Sequence, residues 1–322
     1  MDPQRQKSAA AWLSVISNTA LVFLKLVIGL VVGSVSVISE AIHSGIDLLA
    51  AVIALVAVKK GAKPADEGHP FGHGKIENIS GTVEATLIFL AAGWIIYEAI
   101  QKLLDPYPVR HIGWGVAVML GSAVANMAVS HVLFKVGRRT DSVALQADAW
   151  HLRTDVYTSG GVMAGLAVIW VVGRLLPGVD MQWLDPAAAI AVAMLIVHAA
   201  YKLTVQSARD LMDVTLPAQE EAWIRALLSD PGPKVRGFHR VRTRKSGPNR
   251  FIEFHIFVDG RMTVEESHHL AHEISAKIQE RFTSSSVTVH VEPCSGKCDR
   301  DCSAGCLLTE TQRQAVRAGK EL

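Results

Sequence analysis

The chain has 322 residues, half of them hydrophobic and only 19% charged, with a mean hydropathy of +0.27. That is too apolar for an ordinary soluble domain, and a net charge of +2 with no basic patch among aromatics argues against a nucleic-acid partner. The four cysteines all fall between Cys294 and Cys306, so no disulfide framework supports the fold.

Six apolar stretches of about 20 residues or more, the length needed to cross a bilayer, are predicted at 10–33, 36–58, 78–103, 112–136, 143–173 and 183–206. The opening Met-Asp-Pro-Gln-Arg-Gln-Lys leads into a run too long and poorly terminated for a cleavable signal, so it reads as the first membrane helix. Gly33-Ser34 alone separates the first two stretches and predicts a tight hairpin. Basic residues set the orientation. Arg5 and Lys7, then Lys59, Lys60, Lys63 and Lys75, then Lys135, Arg138 and Arg139 mark one side, against Lys102, Arg110 and Arg174 on the other. The expectation is a multi-pass protein of the cytoplasmic (inner) membrane with both termini in the cytoplasm.

Two strings inside these stretches carry chemistry: His43-Ser-Gly-Ile-Asp47 in the second and His151-Leu-Arg-Thr-Asp155 in the fifth. Residues i and i+4 share a helix face, so each string sets an imidazole beside a carboxylate. Entering from opposite sides, both pairs reach roughly 12–21 Å depth at 1.5 Å per residue, near the middle of a core about 30 Å thick. Ionisable groups at that depth mark an ion pathway by default, and two nitrogens with two oxygens suit tetrahedral Zn²⁺. Zinc with two aspartates and two neutral histidines is an electrically neutral site. Without the metal, two carboxylates remain and favour protons, so metal release and proton entry are linked. The expected activity is Zn²⁺/H⁺ antiport by alternating access, with the lipid bilayer, divalent metal ions and protons as partners. Arg153, two residues beyond His151, cannot share the ligand face and is expected to pair with an acid such as Glu84 or Asp148.

Between the second and third stretches, Asp66, His69 and His73 stand at spacings of three and four among glycines that let a loop curl round a cation, although a solvated polar loop reads the same way. After about residue 207 the composition turns to that of a soluble domain. From Pro217 the order is helix, strand, strand, helix, strand, with strands near 235–245 and 250–258, a Thr263/Glu266 capping box opening a helix to about Phe282, and a last strand alternating Val287, Val289 and Val291. The fold class is therefore an α-helical membrane protein with six transmembrane helices plus a C-terminal α+β ferredoxin-like cytoplasmic domain. Its divisions are a transport domain (1–206), a cytoplasmic α-β-β-α-β domain (207–293), for which the resemblance described next implies metal binding and dimerisation, and a cysteine-containing tail (294–322). In that tail Cys294, Cys298, Cys302 and Cys306 recur every four residues. One straight helix would hold the first and last about 18 Å apart, whereas Gly296 and Gly305 permit a folded Cys₄ site; a flexible thiol-bearing tail is the alternative.

The runs Ser34–Asp47, His69–Glu77 and Ala147–Asp155 resemble the cation diffusion facilitator family, over nearly the whole chain to about residue 293. The resemblance implies a homodimeric, proton-driven metal exporter with its transport site on His43, Asp47, His151 and Asp155. Histidine at the first of these places resembles the zinc-preferring branch. The resemblance also implies a second zinc site on the Asp66–His73 loop and a cytoplasmic-domain site on His239, His255, His268, His290 and Glu292, with zinc there as a structural or regulatory ion and His269 and His272 as plain surface residues. Competing readings are a broader Fe²⁺, Cd²⁺, Co²⁺ or Mn²⁺ exporter and a membrane-anchored metal sensor. An intramembrane metalloprotease would need His-Glu-x-x-His, which the chain lacks; no enzyme activity is expected.

Overall fold

The computed structural model describes residues 2–32, 35–104, 113–175, 183–232, 234–296 and 300–319. The chain divides into two compact units, Met1–Leu211 and Met212–Leu322.

The first unit holds six long helices among its described residues: α1 (Pro3–Val32), α2 (Val35–Gly61), α3 (Lys75–Leu104), α4 (Gly113–Arg139), α5 (Val143–Leu175) and α6 (Leu184–Leu211). The Gly33-Ser34 connection lies outside the described residues. Five of these helices are long and apolar enough to cross a membrane over their described residues; α5, with Asp148, Arg153 and Asp155 in its first half, is not among the five. Large apolar side chains such as Phe23, Leu30, Leu90 and Trp94 face outward, while the inner contacts are made by small residues such as Ala50, Ala54, Ala85, Ala92, Ala147 and Ala200. A lipid-facing bundle has this inverted distribution, because small residues let helix backbones approach. Gly81 of α3 illustrates the closeness: a Cβ there would lie 2.6 Å from Ser207 Oγ of α6. Between α4 and α5 the chain reverses through Thr140–Ser142, with Asp141 at φ 55° and the Ser142 amide donating to Gly137 O at 2.8 Å. This short turn fixes the point from which α5 starts.

The second unit runs α7 (Ala218–Ser229), β1 (Gly237–Ser246), β2 (Asn249–Val258), α8 (Val264–Arg281), β3 (Ser285–Pro293), α9 (Arg300–Ala304) and α10 (Glu310–Arg317). The three strands form one sheet in the order β1-β2-β3, with β1 antiparallel and β3 parallel to β2. Period-two alternation sends Ile252, Phe254, Ile256 and Val258 into a core with Ile224 and Leu228 of α7 and Leu270, Ile274 and Ile278 of α8. The opposite set from the same strands is left for other work. Thr263 caps α8 as its sequence indicates: Thr263 Oγ1 accepts the Glu266 amide at 3.2 Å and the Glu266 carboxylate accepts the Thr263 amide at 2.9 Å.

Candidate metal centre

The transport-site candidates meet between α2 and α5. One ligand atom each from His43, Asp47 and Asp155 lies within 4.8 Å of the other two. His151 joins through Asp47, its Nε2 standing 3.2 Å from Asp47 Oδ1, with both side chains almost wholly buried. The i,i+4 spacing stacks His43 over Asp47 and His151 over Asp155; Asp47 and His151 are buried between α2 and α5, Asp155 is half-buried, and His43 is exposed. His151 Nδ1 is buried without a hydrogen-bond partner among the described residues.

Around this group the bundle buries charged residues that no spacing rule points to. Lys25 of α1 is 4% exposed and donates from Nζ to Ser44 Oγ at 2.8 Å, one residue after His43. Glu84 of α3 and Asp148 of α5 are fully buried; Glu84 Oε2 and both Asp148 oxygens lack a hydrogen-bond partner among the described residues. The visible signal for all three was a charged letter inside an apolar run. Arg153 departs from expectation: its guanidinium carbon lies 4.9 Å over the Phe134 ring of α4 rather than on Glu84 or Asp148. Two residues along a helix is a rotation of roughly 200°, which directs Arg153 away from the ligand face toward α4, where an aromatic face attracts a cation.

The loop candidates also come together. Asp66 receives His69 Nδ1 at 3.2 Å on one oxygen and His73 Nε2 at 3.4 Å on the other, and the two imidazole rings lie 4.2 Å apart. The backbone N–H of His69 donates to Asp66 at 2.7 Å and holds that carboxyl below its ordinary value. One ligand atom from each of the three lies within 4.8 Å of the others.

In the second unit, sheet register builds the third group. His239 of β1 is directly opposite His255 of β2, which is opposite His290 of β3. Glu292, two residues after His290 and so on the same face, reaches back across this row: Oε1 to His255 Nδ1 at 2.7 Å and Oε2 to His239 Nε2 at 3.2 Å. Burial pushes the Glu292 carboxyl up, but its hydrogen bonds to His255 and His239 and their charge outweigh this and hold it below its ordinary value. His239, His255 and Glu292 form a ligand-sized cluster, and His290 Nε2 stands at its edge, 3.6 Å from Glu292 Oε1. His268 does not belong to that three-residue cluster. It is exposed on α8, its ring 5.6 Å from that of His272 and 6.2 Å from that of His269. The physical reason is that the α8 face directed at the sheet is taken by Leu270, Ile274 and Ile278.

The tail is not a free-hanging segment. Residues 305–307 dock on β1, with the Phe238 amide donating to Gly305 O at 2.9 Å and the Leu307 amide to Arg236 O at 3.0 Å. Cys294, Cys302 and Cys306 are thiols that line one small cavity; Cys298 lies outside the described residues.

Comparison with known proteins agrees with this architecture. Residues 11–212 match the family model described as cation efflux transmembrane domain, and residues 216–294 match cation efflux protein, cytoplasmic domain. An uncharacterized transporter, sll1263, of Synechocystis sp. is 39% identical over 284 residues, 88% of this chain and 89% of the relative. The cation-efflux pump FieF of Serratia proteamaculans is 31% identical over 298 residues, 92% of this chain and 96% of the pump. Among solved structures, the metal-bound C-terminal domain of the CzcD transporter from Thermotoga maritima is 34% identical, covers 24% of this chain and 94% of that one, and gives a TM-score of 0.22. With acid and imidazole pairs gathered from two helices of an apolar bundle and both family models matched in succession, the chain belongs to the cation efflux, or cation diffusion facilitator, family, whose members are membrane transporters and not enzymes.

Proposed function

We propose that the chain exports Zn²⁺ from the cytoplasm in exchange for protons, by alternating access around His43, Asp47, His151 and Asp155. The observation that carries this reading is the gathering of His43, Asp47 and Asp155 within 4.8 Å of one another, with His151 3.2 Å from Asp47. Two carboxylates neutralise a divalent ion, and two imidazoles favour zinc over harder cations. Ligands must shed protons to bind a metal, so metal release and proton entry at this site are linked. The site thus returns protons in the direction opposite to the metal. In this reading α5 also spans the bilayer, making six spans in all, both termini face the cytoplasm, and the protein lies in the cytoplasmic membrane as a homodimer assembled through its second unit, a ferredoxin-like domain. The loop residues Asp66, His69 and His73 hold a peripheral ion. His239, His255 and Glu292, with His290 at the edge, hold a structural or regulatory one; one ligand atom from each of the first three lies within 4.8 Å of the others.

Everted membrane vesicles containing a zinc-sensitive dye test the reading. Zinc entry should follow an imposed pH gradient and collapse when an ionophore dissipates it. Asp155→Ala or Asp47→Ala should abolish entry while the protein remains folded and membrane-inserted. Zinc uptake indifferent to the gradient would remove proton exchange. Equal uptake of Fe²⁺, Cd²⁺, Co²⁺ or Mn²⁺ in direct competition would replace zinc preference with a broader range.

A further inference from the structure

Arg153 stands ten residues after Val143, the first residue of α5, which at 1.5 Å per residue is about 15 Å along the helix. Here α5 packs on α4 through Leu133, Phe134, Leu145 and Leu152, so a cation at that depth is costly unless its side chain reaches polar ground. Helical side chains lean toward the N-terminus of their own helix, and the Thr140–Ser142 turn joins that end of α5 to the end of α4. Arg153 therefore leans back toward the turn. Its guanidinium carbon lies 4.9 Å from the centre of the Phe134 ring, five residues, or about 8 Å, before the last residue of α4.

Arg138, in the last turn of α4, addresses the same ring from 5.2 Å. One buried ring thus has two guanidiniums on it, while Trp150 of α5 meets it edge-on at 5.2 Å. An aromatic face attracts a cation, but it does not relieve the repulsion between two of them. Neither arginine is ion-paired with a carboxylate among the described residues, and Arg153 Nε is buried there without a hydrogen-bond partner. Lys135 and Arg139, both exposed, add positive charge to the same end of the helix. Toward the middle of α4 the exposed surface changes character. Val124 and Met127 are 69% and 41% exposed, and steps of three and four lead from them through His131 to Lys135 and Arg138 on one helix face. The surface of α4 therefore runs from apolar at mid-helix to cationic at its end, with an indole beside the cations as at a membrane interface. A phospholipid has the same order, acyl chain and then phosphate.

We infer that Arg138 and Arg153 hold the phosphate-bearing headgroup of an anionic phospholipid whose acyl chains lie along the exposed face of α4. The guanidiniums donate N–H groups to the phosphate oxygens, and the negative charge offsets their mutual repulsion. Basic pockets between membrane helices near a leaflet surface select such headgroups. A zwitterionic lipid brings an ammonium group that the same cations repel, and free phosphate leaves the apolar stripe uncovered. The site does not depend on the transport reading, since Arg153 projects away from the face that carries His151 and Asp155.

Full-length protein, stripped of lipid in detergent, tests this by native mass spectrometry and by thermal unfolding. Offered phosphatidylglycerol and phosphatidylcholine with identical acyl chains in equal amounts, the wild type should retain the anionic lipid in preference and unfold at a higher temperature with it. Arg138→Gln and Arg153→Gln should each cut the preference about fivefold, and the double variant should abolish it. Arg153→Lys should keep most of it, and Lys60→Gln, at the exposed end of α2, should leave it unchanged. Inorganic phosphate should neither raise the midpoint nor displace the lipid. Equal retention of the two lipids by the wild type, a result that needs no variant to fold, would overturn the site. So would a preference that survives in the double variant, one that Lys60→Gln lowers as much, or displacement of the lipid by phosphate.

Discussion

Lys7 of α1 and Glu77 of α3 meet at 2.5 Å with side chains 5% and 0% exposed, and Ser142, just before α5, donates its hydroxyl to the same carboxylate. One acidic residue thus joins three helices. Removing one member of a buried pair strands the other charge, a loss of about 3–5 kcal/mol, whereas replacing both by apolar groups is far milder. Lys7→Met should therefore lower the thermal midpoint in detergent markedly, and Lys7→Met with Glu77→Leu should recover much of the loss; equal midpoints for the single and double variants would show that the pair contributes nothing beyond packing. Neither residue was legible as a partner beforehand, because a charge at the end of an apolar stretch reads as an interfacial residue and only packing reveals what it meets. His43, Asp47, His151 and Asp155 were legible for the opposite reason. Helix geometry alone aligns each pair, and the depth calculation needs only 1.5 Å per residue. Arg153 was half legible: its exclusion from the ligand face follows from rotation, but the aromatic ring that receives it belongs to α4 and no local rule names it.

At the level of elements, the most readable one is α8. Its cap, its apolar stripe and its end near Phe282 all follow from local letters, because a capping box and a 3.6-residue period are local rules. Its stability also carries a pH signature. The Thr263 amide, hydrogen-bonded to Glu266, holds that carboxyl below its ordinary value. A depressed folded value means that the stabilisation is complete above the ordinary carboxylate range and is lost as pH falls through the depressed value. Hydrogen exchange corrected for intrinsic rates should show the first turn of α8 losing protection on acidification in the wild type, with the pH dependence flattened in Glu266→Gln; identical profiles would exclude the carboxylate as the cause. Less readable was β1. Between His239 and Arg242 its register with β2 shifts by one residue, and Arg240 adopts φ 49°. Nothing in the letters His-Arg-Val-Arg announces a bulge, yet the bulge lets Gly237–His239 keep one phase of the pleat while Arg242–Ser246 keep another. His239 stands opposite His255 because of it. The tail was misleading in another way: a four-residue repeat suggests a helix, but Cys306 is held by a strand-like bridge to Gly237.

At the scale of the whole molecule, metal-capable side chains among the described residues are gathered in both compact units, two groups in the first and one in the second. This division allows function to be dissected by metal content. Asp47→Ala with Asp155→Ala should remove about one zinc per chain from purified full-length protein and abolish transport, whereas His239→Ala with Glu292→Ala should remove a different ion and leave the membrane ligands intact. Elemental analysis of the two variants, scored against transport, checks both; a loss of all bound zinc in either one would mean that the groups do not fill independently. The division into an apolar helical part and a soluble α/β part was plain from composition, because lipid and water select opposite surfaces. The return of the tail onto the sheet was not, since it depends on a glycine contact between residues far apart in sequence. That return has one more effect. A terminal strand such as β1 offers unsatisfied amides and carbonyls to any extended chain that drifts past. By occupying the beginning of that margin, Gly305–Leu307 act as a built-in guard against intermolecular strand addition, so a chain shortened before Gly305 would be left with a sticky flank and a propensity to self-associate into precipitates.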